Sequence, residues 1–297
     1  MKRWKSFVSN VQLSATKMIV GIRIGYRSGP VNLYHCCVPK TGSQWIGKIL
    51  SDPIFYRYSG LEGYHYQTSL PGGHDSRKIS DRSFAAPFPK GTIVTPLYIS
   101  FDNFTSLPKP ERYKAFFVTR DPRDILISWY FSIKHSHALL GNISKLREIL
   151  NGMSFDDGIL YAMEHLDSSG QFQALASWID VSRTDPNALV IRFEDLTGST
   201  SVEVFEDLFR HCDIHVPQKI LRRLLTKYSF EALAGRKRGE ERKEEHYRKG
   251  ISGDWKNYLS DALARRFEEL AGNAVSRLGY RGWILPILFQ PIMIDLG

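Results

Sequence analysis

Val31-Asn32-Leu33-Tyr34-His35-Cys36-Cys37-Val38-Pro39-Lys40-Thr41-Gly42-Ser43-Gln44-Trp45 decides the fold. An apolar run rich in β-formers stops at Pro39-Lys40, turns through Gly42 between two hydroxyl residues, and restarts as a helix from Ser43. A strand that ends in such a loop and then opens a helix presents backbone N–H groups to an anion, and a lysine in the loop adds a full positive charge. A second unit follows the same plan. The run Ala115 to Thr119 leads into Arg120-Asp121-Pro122-Arg123-Asp124, and Ser128 lies two helical turns beyond Arg120. Two such units on one sheet can grip a ligand with two separate phosphate-like groups.

A third segment, Arg248-Lys249-Gly250-Ile251-Ser252-Gly253-Asp254-Trp255-Lys256-Asn257, sets two adjacent cations beside a glycine, which suits a compact phosphate. In this order the three segments resemble the loops of the sulfotransferases that use 3′-phosphoadenosine-5′-phosphosulfate (PAPS), a family similar in fold to P-loop kinases. The resemblance spans roughly Val31 to Arg281. It implies that Lys40, Thr41, Gly42, Ser43 and Gln44 hold the 5′-phosphosulfate, with Lys40 catalytic beside the leaving phosphate oxygen. It implies that Arg120, Ser128, Arg248, Lys249 and Gly250 hold the 3′-phosphate. Trp45 matches the family's adenine-stacking tryptophan. Tyr228-Ser229-Phe230 stands where the family places Thr-Ser-Phe against adenine, so Tyr228 and Phe230 join the expected set. Phe193 replaces the tyrosine that often precedes Glu-Asp in the family. PAPS is then the donor, PAP the product, and no metal is implied.

The remaining chain supports an α/β fold, a mostly parallel central sheet flanked by helices in one P-loop-like domain. Thr92 to Leu97 and Ala188 to Phe193 read as further strands. Pro122 opens a helix whose Ile125, Leu126, Trp129, Tyr130 and Ile133 form one apolar stripe. Val202 to Phe209, Lys219 to Leu225 and Asp261 to Leu278 read as helices. Strands alternating with helices imply a parallel sheet covered on both faces. The domain is expected at 31–281, between a basic amino-terminal extension, 1–30, and an apolar tail, 282–297. Phe55 to Phe88 is a long polar and aromatic connection, expected to lie over the mouth of the site.

The 297 residues carry a formal net charge of +9, which favours acidic partners. A phosphate-binding enzyme is often basic, and the cations sit inside loop motifs rather than in one stripe, so no nucleic-acid partner is expected. The three cysteines form no disulfide or metal pattern and suit a reducing, cytoplasmic setting; Cys36 and Cys37 should point to opposite faces of a strand. His135/His137 and His211/His215 lack a supporting third metal ligand. The first 51 residues contain no Asp or Glu and eight Lys or Arg, which an import signal or a solvated surface would both explain. The tail, with Pro286 and Pro291, is too short and interrupted to span a membrane. It is expected to pack on the domain or on a second subunit of a homo-oligomer, with membrane contact the minor reading.

These features point to sulfuryl transfer from PAPS to a hydroxyl or amine of a small acceptor. The alternatives are a P-loop-type small-molecule or nucleotide kinase, and a non-catalytic basic module that binds nucleotide or nucleic acid. Against the kinase, Lys40 precedes Gly42 and no G-x-x-x-x-G-K run occurs. A general base is harder to place. Many members carry a histidine about 22 residues before the second-loop arginine; here that position is Tyr98, a poor base at neutral pH. Other branches use a glutamate some twenty residues after the first loop, which points to Glu62, followed by His65 and then His74.

Overall fold

Five parallel strands carry the molecule, in a computed structural model that describes residues 29–280. The strands are β1 (Asn32–Cys37), β2 (Glu62–Tyr64), β3 (Thr92–Tyr98), β4 (Tyr113–Thr119) and β5 (Ala188–Arg192), in the sheet order β2-β3-β1-β4-β5. Because β1 is central and buried on both faces, it reads as a continuous apolar run rather than an alternating one. Side-chain alternation still sorts its residues. Tyr34, Cys36 and Val38 enter one core; Leu33 and Cys37 enter the other. Cys36 and Cys37 therefore do point to opposite faces, and all three cysteines are free and buried.

Two layers of helices seal the sheet. On the Leu33 face lie α1 (Ser43–Leu50), Ser201–His211 and Gln218–Lys227. On the Tyr34 face lie α2 (Pro122–Phe131), α3 (Phe155–Ser168), α4 (Gln171–Ser177) and α5 (Asp261–Arg277). Ile46, Ile49 and Leu50 are all buried, and at about 1.5–3 kcal/mol per buried side chain they hold α1 with its amino end at the carboxyl end of β1. Asp121 caps α2 by accepting the Arg123 N–H at 2.9 Å, and Pro122 fills the first turn, where no N–H is needed.

The stretch 55–88, expected over the mouth of the site, contributes no residue to the lining of the cavity described below. It ends a short helix, Pro53–Ser59, adds the edge strand β2, and threads three 3-10 turns; Tyr66 and Ile79 in those turns and Phe88 after them enter the core. Its many aromatic side chains are there to be buried. Residues 139–187, which lacked a sequence assignment, supply Ile143–Asn151, α3 and α4. The extension up to residue 28 and the whole apolar tail, with its expected packing, lie outside the described residues.

Candidate active site

In an open parallel sheet, ligands collect beyond the carboxyl ends of the strands, where the chain path reverses direction across the sheet. Here β1, β2 and β3 fill one side before the chain crosses to β4 and β5, so the reversal falls between β1 and β4. A cavity of about 220 Å³ opens at that place. Lys40 follows β1, Tyr98 ends β3, Arg120 follows β4 and Phe193 follows β5, and all four line it.

The first loop is fixed from behind. Thr41 is buried and its hydroxyl donates to the Val38 carbonyl at 2.9 Å. The Gln171 amide donates to the Pro39 carbonyl at 3.0 Å, and Arg120 Nη1 donates to the Lys40 carbonyl at 3.1 Å. Lys40 itself adopts a left-handed φ of 73°, a conformation that disfavours side chains beyond Gly, Asn and Asp. Gly42, at φ 81°, caps α1; a Cβ there would come within 2.6 Å of the Phe193 ring, so only glycine allows ring and loop to meet. Ser43 shares a 2.9 Å hydrogen bond with the Tyr98 hydroxyl. Trp45 donates from Nε1 to the Tyr228 carbonyl at 2.7 Å and meets Phe193 edge-on at 6.1 Å.

The second and third segments are joined through one carboxylate. Asp124, buried in the first turn of α2, accepts the Gly253 N–H at 2.6 Å and the Trp255 N–H at 3.0 Å. Arg123 lies over the Trp255 ring at 3.9 Å while paired with Asp121. This clamp brings Arg248, Lys249 and Gly250 to the same cavity as Arg120 and Ser128. Asp254 accepts from Arg248 Nη2 at 2.5 Å and from Lys249 at 2.6 Å. Burial raises its pKa, yet the hydrogen bonds from Lys249, Asn257 and Arg248 outweigh that and hold it below the ordinary carboxylate range. Gly250, at φ 70°, leaves room for Phe230, whose ring would be 2.4 Å from an added Cβ.

The electrostatics are one-sided. Among the described residues, Lys40, Arg120, Arg238, Arg248 and Lys249 line the cavity, and no Asp or Glu does. Burial, then the charges of Arg120 and Arg248, push Lys40 down to about pKa 8. Arg120 Nε is buried with no hydrogen-bond partner among the described residues. Cations held this close without an anion on the wall repel one another, and a bound anion relieves that repulsion. Trp45, Phe193 and Phe230 add aromatic surface suited to a flat ring. The residues thus fit a nucleotide with two anionic ends. Among the described residues no group of acids, histidines and cysteines could hold a metal.

Of the expected donor residues, Lys40, Gly42, Ser43, Gln44, Trp45, Arg120, Ser128, Phe230, Arg248, Lys249 and Gly250 line the cavity, whereas the side chains of Thr41 and Tyr228 do not. Thr41 braces the loop. Tyr228 donates its hydroxyl to Asp52 at 2.8 Å and offers Trp45 its carbonyl, so it orients the tryptophan. The expected bases fall elsewhere. Glu62 pairs with Thr92 at the amino end of β3, while Tyr98, at the other end, pairs with Cys37 beside the first loop. At about 3.3 Å per residue Glu62 lies on the order of 20 Å from the cavity level. Its offset from Lys40 matched, but the chain spends those residues running back down the sheet. His65 sits one residue past β2, near Thr95, and His74 lies against Gly72 and Gly141; neither lines the cavity. His137, Thr197, Arg238, His246 and Tyr247 do line it and were not expected there. The only available signal was the placement of His246 and Tyr247 directly before Arg248-Lys249.

The sulfotransferase domain model matches residues 35–279. Flavonol 3-sulfotransferase of Flaveria bidentis is 23% identical over 283 residues, covering 88% of this chain and 86% of the relative. Sulfotransferase 2A1 of Homo sapiens is 26% identical over 258 residues, covering 78% and 80%. Among solved structures, mouse sulfotransferase SULT7A1 complexed with PAP superposes with a TM-score of 0.59 at 17% identity, covering 86% of this chain and 88% of that one. Retinol dehydratase in complex with androsterone and PAP gives 0.52 at 15% identity, covering 86% and 84%.

Proposed function

The chain belongs to the sulfotransferase domain family, and on that premise we propose how its cavity divides the labour of sulfuryl transfer among named residues. The enzyme transfers a sulfuryl group from PAPS to a hydroxyl or amine of a small-molecule acceptor. Sulfuryl transfer resembles phosphoryl transfer in its demands: charge is spread over a loose transition state, so positioning and electrostatic stabilisation supply most of the catalysis.

Lys40 and the first-turn amides of α1 hold the 5′-phosphosulfate end, and Lys40 stabilises charge on the departing phosphate oxygen. Ser43, tied to Tyr98, orients the loop and offers a hydroxyl. Arg120, Ser128, Arg248, Lys249 and Gly250 hold the 3′-phosphate. Trp45, Phe193 and Phe230 enclose the adenine. We place the reaction in the cytoplasm, a reading supported by three free, buried cysteines. Among the described residues no helix is long and apolar enough to cross a membrane.

One observation carries this assignment: Lys40, Arg120 and Arg248 converge closely enough for both guanidinium groups to depress the lysine pKa, with no carboxylate on the wall among the described residues. Calorimetry with PAP and AMP tests it. Arg248 and Lys249 already hold Asp254, so a phosphate exchanges contacts there rather than creating all of them. The 3′-phosphate should therefore contribute about 2–3 kcal/mol, or roughly 30- to 150-fold in affinity. Equal affinities for PAP and AMP refute the assignment.

A further inference from the structure

A hydroxyl acceptor must lose its proton as its oxygen bonds to sulfur, and the cavity wall restricts where that proton can go. Among the described residues it carries hydroxyls, amides, cations and no carboxylate. Tyr98 is no base: burial, then the neighbouring Cys37, raises its pKa further, so its hydroxyl stays protonated. Among the described residues, two histidines on the wall, His137 and His246, offer an imidazole nitrogen as proton acceptor.

Their settings differ. His137 follows a π-helical turn, Ser132–Ser136, that widens the end of α2 and closes with the His137 N–H bonded to the Ser132 carbonyl at 2.7 Å. Such turns often accompany functional sites. The widened turn carries the half-buried His137 to the cavity. Its Nδ1 lies 2.9 Å from the Ala138 carbonyl, which can only accept, so Nδ1 carries the hydrogen and Nε2 the lone pair. Lys40, Arg147 and the Ala138 carbonyl act on this ring; burial dominates and lowers its pKa, the carbonyl opposes, and the two cations reinforce burial. Arg147 also donates to the His137 carbonyl at 2.6 Å, fixing the backbone there. His246 keeps a solvent-exposed face, although burial of part of its ring, then Lys40, His137 and Lys48, push it down to about pKa 4.

We propose that His137 is the proton acceptor for the acceptor hydroxyl, a catalytic residue from the loop after α2 rather than from any strand end; this rests on the donor-site reading above. Nε2 takes the hydroxyl proton as the hydroxyl oxygen bonds to sulfur. The bond between sulfur and the 5′-phosphate oxygen breaks, and its electron pair leaves with PAP. The imidazolium then returns its proton to solvent at the mouth, on the His246 side.

The test uses the full chain and H137Q. Calorimetry should give PAP affinities within about threefold of each other. Sulfuryl transfer from labelled PAPS is measured to paired phenols, one ionised at the assay pH (a nitrophenol) and one neutral. H137Q should lose at least about 100-fold in kcat on the neutral phenol and less than about fivefold on the ionised one. The acid limb of wild-type kcat/KM, with a midpoint below 6.5, should vanish in H137Q. Nitrogen-15 spectra of histidine-labelled protein need no acceptor. They should show an unprotonated Nε2 at His137 near pH 7 and a pKa that rises when PAP binds, because phosphate charge offsets Lys40. Equal losses on both phenols, a lone pair on Nδ1, or the same selectivity appearing in H246Q instead overturns the proposal. Failure of wild-type protein to bind PAP overturns the donor-site reading, a separate result.

Discussion

Asp124 is the joint on which the donor site turns, and Asp124→Ala measures it. Its side chain is 1% exposed, bonded to two backbone N–H groups of the third segment and 3.9 Å from Arg120. Removing it leaves two buried donors unpaired, at about 1–3 kcal/mol each. Part of that loss is recovered. Burial raises the Asp124 pKa despite Arg120 and both amides, so keeping the carboxylate charged is itself costly. A net loss of about 3 kcal/mol follows, and at about 2 °C per kcal/mol for a chain this large the melting temperature should fall by about 6 °C. The segment that unfastens carries Arg248 and Lys249, so PAP affinity should fall at least about tenfold. Asp124→Asn keeps one carbonyl oxygen and should lose about half as much stability. Thermal unfolding and calorimetry read both effects. If Asp124→Ala melts within 2 °C of wild type and binds PAP normally, the third segment holds its shape without α2, and the account of this joint is wrong.

Three further outcomes follow from the same geometry. Gly250→Ala forces a Cβ into the Phe230 ring at a left-handed φ and should weaken PAP binding at least about tenfold with a far-ultraviolet spectrum like wild type, whereas unaltered affinity would show that the ring moves aside freely. Lys40, held near pKa 8 in the free protein, is charged below that pH and neutral above it; PAP favours the charged form, so binding should take up close to one proton at pH 9 in wild type and none at this site in Lys40→Met, measured by calorimetry in buffers of different ionisation enthalpy. Glu62→Gln should keep turnover within about twofold of wild type, because Glu62 sits beside Thr92 at the far end of the sheet, and a 100-fold loss would place the site elsewhere.

Most of the proposed donor-site residues, read from the sequence, meet at one cavity because each of the three segments combines local turn chemistry with charge. Lys40 and Gly42 follow a strand directly, Arg120 does the same, and Gly250 stands beside two cations. Such loops combine a turn and a charge in a few adjacent residues, so they are legible without the fold. The base was not. Glu62 and His137 are both plausible residues in irregular sequence, and only the path of the chain separates them. Twenty-two residues from Lys40 to Glu62 contain α1, a second helix and a return to the opposite sheet end; seventeen from Arg120 to His137 contain α2 and the π-helical turn after it, and Arg120, Ser128 and His137 all line the cavity. Counting residues conveys distance along the chain, not position across a sheet. Tyr228 failed for another reason: its carbonyl matters to Trp45, and a backbone contact leaves no trace in side-chain identity.

The cations that line the cavity are distinct from the net charge of the chain, six of whose Lys and Arg lie in residues 1–28, outside the described residues. A net charge of +9 alone is compatible with a nucleic-acid or membrane surface. In the fold, acids paired with the site cations stand one layer behind them. Asp254 and Glu241 hold Arg248, Asp124 stands behind Arg120, and Glu194 accepts the Asp121 N–H while Tyr280 donates to its other oxygen at 2.8 Å. The cations therefore face a concave wall with their counter-charges at their backs. Such an arrangement fixes the direction of each cation before the ligand arrives, which lowers the ordering cost of binding. A flat polyanion would meet few of these groups. A compact molecule with a phosphate at each end, and an aromatic base between, meets Lys40, Arg120, Arg248 and Lys249 in a single step.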